Sequence, residues 1–159
     1  MIWMNLNVLK QSFDHFVRHD DKEHKVNICF NSPSVRAFNQ IRADAGWGEV
    51  DPTLAQNSLN QSLFHVCLYC DNNLAAYGRI IGDGALFYYV QDVVVKNHYQ
   101  GQGLGHFIME HIQCYLADTV CNGATVGLLS VKGKESFYQR YGYQNRDGEV
   151  LGLGMCQFY

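Results

Sequence analysis

The chain has 159 residues, a length that suits one domain with a sizeable core, and its hydrophobic fraction of 47% and charged fraction of 17% fit a soluble globular protein. Twelve basic against fifteen acidic residues give a net charge of −3 without any basic run, which argues against nucleic acid as a partner. Apolar stretches fall well short of the ~20 residues of a membrane span. Met1-Ile2-Trp3-Met4-Asn5 lacks the charged-then-apolar layout of a secretion signal, so no membrane partner and a cytoplasmic location are expected.

Residues 1–23 read poorly and are expected to form an ill-defined extension. Val8, Phe13, Phe16 and Val17 suit a short amphipathic helix, broken by the charged turn His19-Asp20-Asp21-Lys22-Glu23. Residues 25–30 alternate with period two and predict the first strand. Ser32-Pro33 offers an N-cap followed by proline at the first helical position, with Val35, Phe38, Ile41 and Arg42 continuing that helix to about Ala45. Gly46-Trp47-Gly48 stops it, and Asp51-Pro52 repeats the device for a second helix to about Leu59.

From residue 63 the pattern becomes sheet. Residues 63–70 and 74–81 form a hairpin pattern around Asp71-Asn72-Asn73, and Asp83-Gly84 turns the chain into a strand over residues 86–95. That strand is almost continuously apolar, as expected when both faces are covered. A glycine-rich loop follows, and then Leu104, Phe107, Ile108, Ile112, Tyr115 and Leu116 recur at helical spacing. Residues 126–130 give a short strand, 134–140 a short helix ended by Tyr141-Gly142-Tyr143, and a last hairpin turns at Asp147-Gly148 and ends with residues 150–159. The predicted order is β-α-α-β-β-β-α-β-α-β-β in one domain over residues 1–159.

The six cysteines carry no framework. Cys67 and Cys70 lie three apart within a predicted strand, so their side chains point to opposite faces and do not converge on a metal. For this pair the expectation is reduced, mostly buried thiols, and no metal is expected.

The loop Gln100-Gly101-Gln102-Gly103-Leu104-Gly105 is the part of the sequence that carries chemistry. A helix N-terminus has unsatisfied N–H groups and a positive dipole end, and three glycines clear side chains from it, so the loop suits a phosphate; a plain tight strand-to-helix turn is the competing reading. The dinucleotide pattern G-x-G-x-x-G fails, with His106 or Ile108 at its last position. The P-loop pattern fails too, because Gly133-Lys134 is followed by Glu135.

What remains, Gln100-x-x-Gly103-x-Gly105, resembles the Q/R-x-x-G-x-G/A signature of the GNAT superfamily of acyl-CoA-dependent N-acyltransferases. Other stretches resemble it in order: Gln91-Asp92-Val93-Val94-Val95 as the central strand, and Phe137-Tyr138-Gln139-Arg140-Tyr141-Gly142-Tyr143 as a segment of the F-Y-x-[KR]-x-G-[FY] kind. Ala45-Gly46-Trp47 and residues 79–84 resemble stretches of small bacterial members. The resemblance covers the chain from about residue 35 onward. Asn97 departs from it, standing where many relatives carry proline after the strand.

This resemblance implies an α/β (α+β) GNAT fold: a mixed, mostly antiparallel sheet with one splayed parallel strand pair and helices on both faces. It implies acetyl-CoA as co-substrate, no metal, and transfer of the acetyl group to a primary amine of a small molecule. Gln100, Gly101, Gln102, Gly103, Leu104, Gly105 and His106 correspond to the pyrophosphate loop. Val93, Val94 and Val95 correspond to the strand that pairs with the pantetheine arm, and a strand N–H near Val93 to the group that polarises the acetyl carbonyl. Tyr138 corresponds to the acid that assists departure of the thiolate. Asp92 could be the general base or could pair internally; His65 and a water relay are the other routes. Arg42 or Arg79 could hold a substrate anion. Relatives often form homodimers through late strands such as residues 150–159. Two further readings stay open on this fold: a non-catalytic acyl-CoA sensor and a protein or peptide N-acetyltransferase.

Overall fold

The computed structural model describes residues 15–158. It divides into two compact units, one ending at Leu128 and the other beginning at Leu129.

The larger unit is a six-stranded sheet whose spatial order follows the chain. Strand β1 (His15–His19) pairs antiparallel with β2 (Lys22–Cys29). The turn between them is Asp20-Asp21, both with positive φ (50° and 58°), the mirror-image conformation that matches the twist of a two-residue hairpin. Phe16 and Val17, expected on a helix, therefore lie in a strand: Val17 is buried against the sheet and Phe16 faces solvent. Val8 and Phe13 lie outside the described residues.

Helices α1 (Val35–Asp44) and α2 (Pro52–Asn60) follow. The N-cap of α1 is Ser34, whose Oγ accepts from the Ala37 amide (3.2 Å), so the cap lies after Pro33 rather than before it. The second cap falls where the sequence puts it. Asp51 accepts from Thr53 and Leu54 (2.9 and 3.0 Å), with Pro52 at the first helical position.

Strands β3 (Phe64–Cys70) and β4 (Asn73–Gly82) form the expected hairpin, and β5 (Phe87–Val95) pairs antiparallel with β4. Helix α2's Leu59 and Ala55 and α1's Phe38 and Ile41 cover one sheet face, packing with Cys67, Leu74, Tyr77 and Val94. Helix α3 (Leu104–Thr119) covers the other through Leu104, Ile108, Met109, Ile112 and Leu116. It leads to β6 (Thr125–Gly127), which pairs parallel with β5.

Gly78 sets how close α3 comes to the sheet. A Cβ there would stand 2.4 Å from Ile108 Cγ2 and 3.3 Å from Ile112 Cδ1. Ile108 Cγ2 sits on the β-branch, so it can yield only by a χ1 change or a shift of the helix at this contact. Gly78→Ala is expected to cost about 1–3 kcal/mol by overpacking, read as a lower urea midpoint with the slope unchanged.

The smaller unit contains helix α4 (Glu135–Gln139). Residues 140–158 form no strand, so the expected last hairpin is absent there. Among the described residues no helix is long and apolar enough to cross a membrane. All six cysteines are free thiols. Burial pushes the Cys67 thiol up to about 12, with Cys29 adding to the effect, so it is an inert core group.

Candidate active site

The site begins with an irregularity in β5. Tyr77 pairs with Val94 and Arg79 with Gln91, so Asp92 and Val93 together oppose the single residue Gly78. This is a β-bulge, and Asp92 takes a positive φ of 54° within it. On its other edge β5 pairs with β6 only through Phe87, Tyr88 and Tyr89. From Val90 to Val95 that edge has no strand partner among the described residues, so backbone groups around Val93 and Val94 face an open side of the sheet. The two strands of the parallel pair differ in length, three residues against nine.

After Val95 the chain makes a single 3₁₀ turn (Asn97–Tyr99) and enters the glycine loop. Gln100 anchors it: its side-chain amide donates to the Val95 carbonyl (3.0 Å) and to Asn97 Oδ1 (3.1 Å). Gly101 and Gly103 have φ of 75° and 85°, which explains glycine at both positions. A Cβ on Gly101 would meet nothing within 4 Å, and one on Gly103 only a ring atom of His15 at 3.9 Å, so the space over the loop is open. Gly103 caps α3, and the first intrahelical bond runs from Phe107 N–H to the Gly103 carbonyl (3.1 Å). The amides of Leu104 and Gly105 precede it and have no protein partner among the described residues. Open glycine backbone, unpartnered amides and a helix N-terminus fit a pyrophosphate.

Sequence reasoning missed what holds this loop from outside. Gln102 turns its side chain to β1, accepting from the Arg18 amide (2.6 Å) and donating to the Arg18 carbonyl (3.1 Å) and the His98 carbonyl (3.3 Å). His15 Nε2 donates to the Gln102 carbonyl (3.0 Å). A trans peptide holds C=O and N–H on opposite sides, so fixing that carbonyl on His15 turns the Gly103 N–H the other way. The His98 ring stacks on His19 (centroids 4.3 Å) and lies tilted against Tyr99 (4.1 Å). Burial, then the His19 and Lys96 charges, hold its pKa below the usual histidine value. His106 sits half-buried in the first turn of α3.

Asp92 is committed elsewhere. Its carboxylate is buried, with a side-chain exposure of 1%, and accepts from Arg42 Nη1 (2.9 Å), Arg79 Nε (2.8 Å) and Gln91 Nε2 (3.2 Å). Of the two roles left open for it, the observed contacts are those of internal pairing, with two charge-assisted bonds in a dry setting. His65 is likewise internal. Its Nδ1 lies 2.9 Å from the Tyr77 hydroxyl, and burial, reinforced by the Arg79 charge, holds its pKa down.

In the smaller unit Tyr138 is half-buried on α4, set edge-on to Phe137 (5.1 Å) and Tyr143 (6.3 Å). Burial, and after it Tyr143, pushes its phenol above the usual tyrosine value, so the ring carries its proton at neutral pH.

A bulged strand with one open edge runs into a glycine loop that caps the next helix. Residues 61–145 match the acetyltransferase (GNAT) domain model, and the chain belongs to the GNAT acetyltransferase family. A solved structure of a protein of unknown function from methicillin-resistant Staphylococcus aureus, described as a probable acetyltransferase, is similar at 28% identity and a TM-score of 0.76; the match covers 83% of this chain and 99% of that one. A GNAT-family acetyltransferase from Streptococcus pneumoniae aligns at 22% identity and a TM-score of 0.68, over 84% of this chain and 98% of that one. A GNAT-family protein from Xanthomonas campestris aligns at 21% identity and 0.66, over 84% and 92%. These last two share the fold. No curated protein sequence matches the chain.

Proposed function

We propose that this protein transfers the acetyl group of acetyl-CoA to a primary amine of a small molecule, in the cytoplasm, by direct attack without an acyl-enzyme. The glycine loop capping α3 at the end of a bulged, open-edged β5 is the observation that carries this reading. Acetyl-CoA supplies the acetyl group as a thioester. The amides of Gly103, Leu104 and Gly105 hold its pyrophosphate, and the open edge over Val93 and Val94 takes the pantetheine arm. The amine nitrogen attacks the carbonyl carbon, the C–N bond forms, the C–S bond breaks, and the electron pair leaves on sulfur. A β5 N–H near Val93 meets the negative charge developing on the carbonyl oxygen. Tyr138 gives its proton to the departing sulfur. With Asp92 and His65 occupied inside the fold, the ammonium proton passes to water.

Acetyl-CoA is expected to raise the melting temperature. At a concentration one hundred times Kd the stabilisation is about 2.7 kcal/mol, which is several degrees at the ~2–4 °C per kcal/mol of a chain this size. Gly103→Val places a β-branched side chain at a φ of 85° on the loop, and is expected to abolish that shift while the protein stays folded. Normal acetyl-CoA binding by this variant would remove the loop from the reading. Release of coenzyme A thiol with an amine present separates an enzyme from a non-catalytic sensor.

A further inference from the structure

The pairing around Asp92 does not balance. One buried carboxylate faces two guanidiniums, with side-chain exposures of 1% for Asp92, 7% for Arg79 and 18% for Arg42. The neighbouring titratable groups add no negative charge. His65 has its pKa lowered and Tyr77 its pKa raised, in each case chiefly by burial, so both stand neutral. Asp44, the acidic residue near the end of α1, is taken by Gln40 (2.8 Å) and Lys96 (3.3 Å). The cluster therefore holds one positive charge in excess where water is largely excluded, an arrangement that favours an added anion.

The two arginines are not equivalent. Arg79 is held by four contacts: Nε on Asp92, and Nη1 on the Ser58 carbonyl (3.1 Å), Ser58 Oγ (3.0 Å) and Ser62 Oγ (3.0 Å). Arg42 makes one hydrogen bond among the described residues, from Nη1 to Asp92, and its buried Nε has no partner. Its guanidinium lies against the Phe38 ring (5.5 Å) and the partly exposed Trp47 ring (5.9 Å), which fix its plane without using its donors. Trp47 stands between Gly46 and Gly48, both at positive φ, and a Cβ on either would meet nothing within 4 Å.

We infer that Arg42 is the anion-recognition residue of the acceptor site, and that the acceptor is an amine that also carries a carboxylate or a phosphate. This rests on the acetyltransferase reading above. A guanidinium with idle donors is shaped for a two-oxygen partner, which a neutral amine lacks. Because Arg42 is bonded to the bulge residue itself, an anion held there lies beside the stretch of β5 that meets the acetyl carbonyl. The remaining acceptor contacts then present the amine to that carbonyl.

The test uses the full chain with saturating acetyl-CoA and initial rates of thiol release. Each common α-amino acid is set against its carboxamide, and glucosamine 6-phosphate against glucosamine. At least one anionic member is expected to exceed its neutral partner by about 100-fold or more in kcat/KM, since a site built around a charged contact rejects the analogue lacking it. The pair that responds distinguishes carboxylate from phosphate. Arg42→Met is expected to bring that preference within about threefold and leave the acetyl-CoA melting shift intact. Arg42→Lys, which keeps the charge beside Asp92 but loses the fork, is expected to retain only part of it and serves if the methionine variant does not fold. Absence of any anionic preference in the parent, or its survival in the folded Arg42 variants, overturns the inference. Loss of the acetyl-CoA shift in the parent itself would instead overturn the acetyltransferase reading.

Discussion

Asp92→Ala is expected to destabilise the protein by about 3–5 kcal/mol, the cost of stripping the partner from buried charge. Arg42 and Arg79 would be left facing each other with no carboxylate between them, and α1 would lose its polar tie to β5. Against a typical total of ~5–15 kcal/mol, that is a large fraction, and the urea midpoint is the direct reading. Asp92→Asn sharpens the result because it keeps the size and one acceptor oxygen. A general base would lose about 10²–10⁴-fold in kcat on this change with its stability little altered. The pairing seen here predicts the reverse: the asparagine variant loses stability, since a neutral amide cannot balance two guanidiniums. An asparagine variant as stable as the parent but nearly inactive would reinstate Asp92 as the base.

Much of this site could be read from sequence because its chemistry lies in backbone conformation that few residues permit. Positive φ at Gly101 and Gly103 and a helix start without a side-chain cap leave a glycine pattern that survives without any contact information. The Asp51-Pro52 cap is legible for the same reason, its mechanism being confined to four consecutive residues. The bulge is another matter. An aspartate inside an apolar strand signals something unusual, but nothing local gives its φ or tells whether the carboxylate faces a cleft or two arginines 13 and 50 residues away. Strand β1 was hidden because histidines and arginine sit where alternation would show, leaving Val17 as its one deeply buried apolar residue. Two serines flank Pro33, and only the observed bond from Ala37 selects Ser34 as the cap. The apolar residues of 150–158 suggest a strand by composition, yet Gly152 and Gly154 interrupt them, and a strand without a ladder has little stability of its own. The grip of β1 on the loop through Gln102 and His15 spans more than eighty residues and leaves no periodic trace.

Tyr138→Phe is expected to lower kcat by roughly tenfold or more, to leave the acetyl-CoA Kd nearly unchanged, and to remove the alkaline limb of the pH–rate profile. The sign follows from the phenol's environment. An acid acts only while it holds its proton, so its contribution is present below its pKa and lost as the pH rises through it. The usual tyrosine value is 10.0, and burial followed by the Tyr143 contact raises Tyr138 above it. The parent's alkaline limb should therefore fall above pH 10, while the acidic limb reports loss of the free amine as it takes up a proton. A thiolate is already a tolerable leaving group, which places the effect at the low end of acid catalysis. The phenylalanine ring keeps the edge-on contacts with Phe137 and Tyr143, so loss of fold should not confuse the measurement. The affinity is expected to be spared because the proposed cofactor contacts are with the loop amides and the β5 edge. A variant that turns over at the parent rate with the alkaline limb in place would make Tyr138 a packing residue, with sulfur departing unassisted.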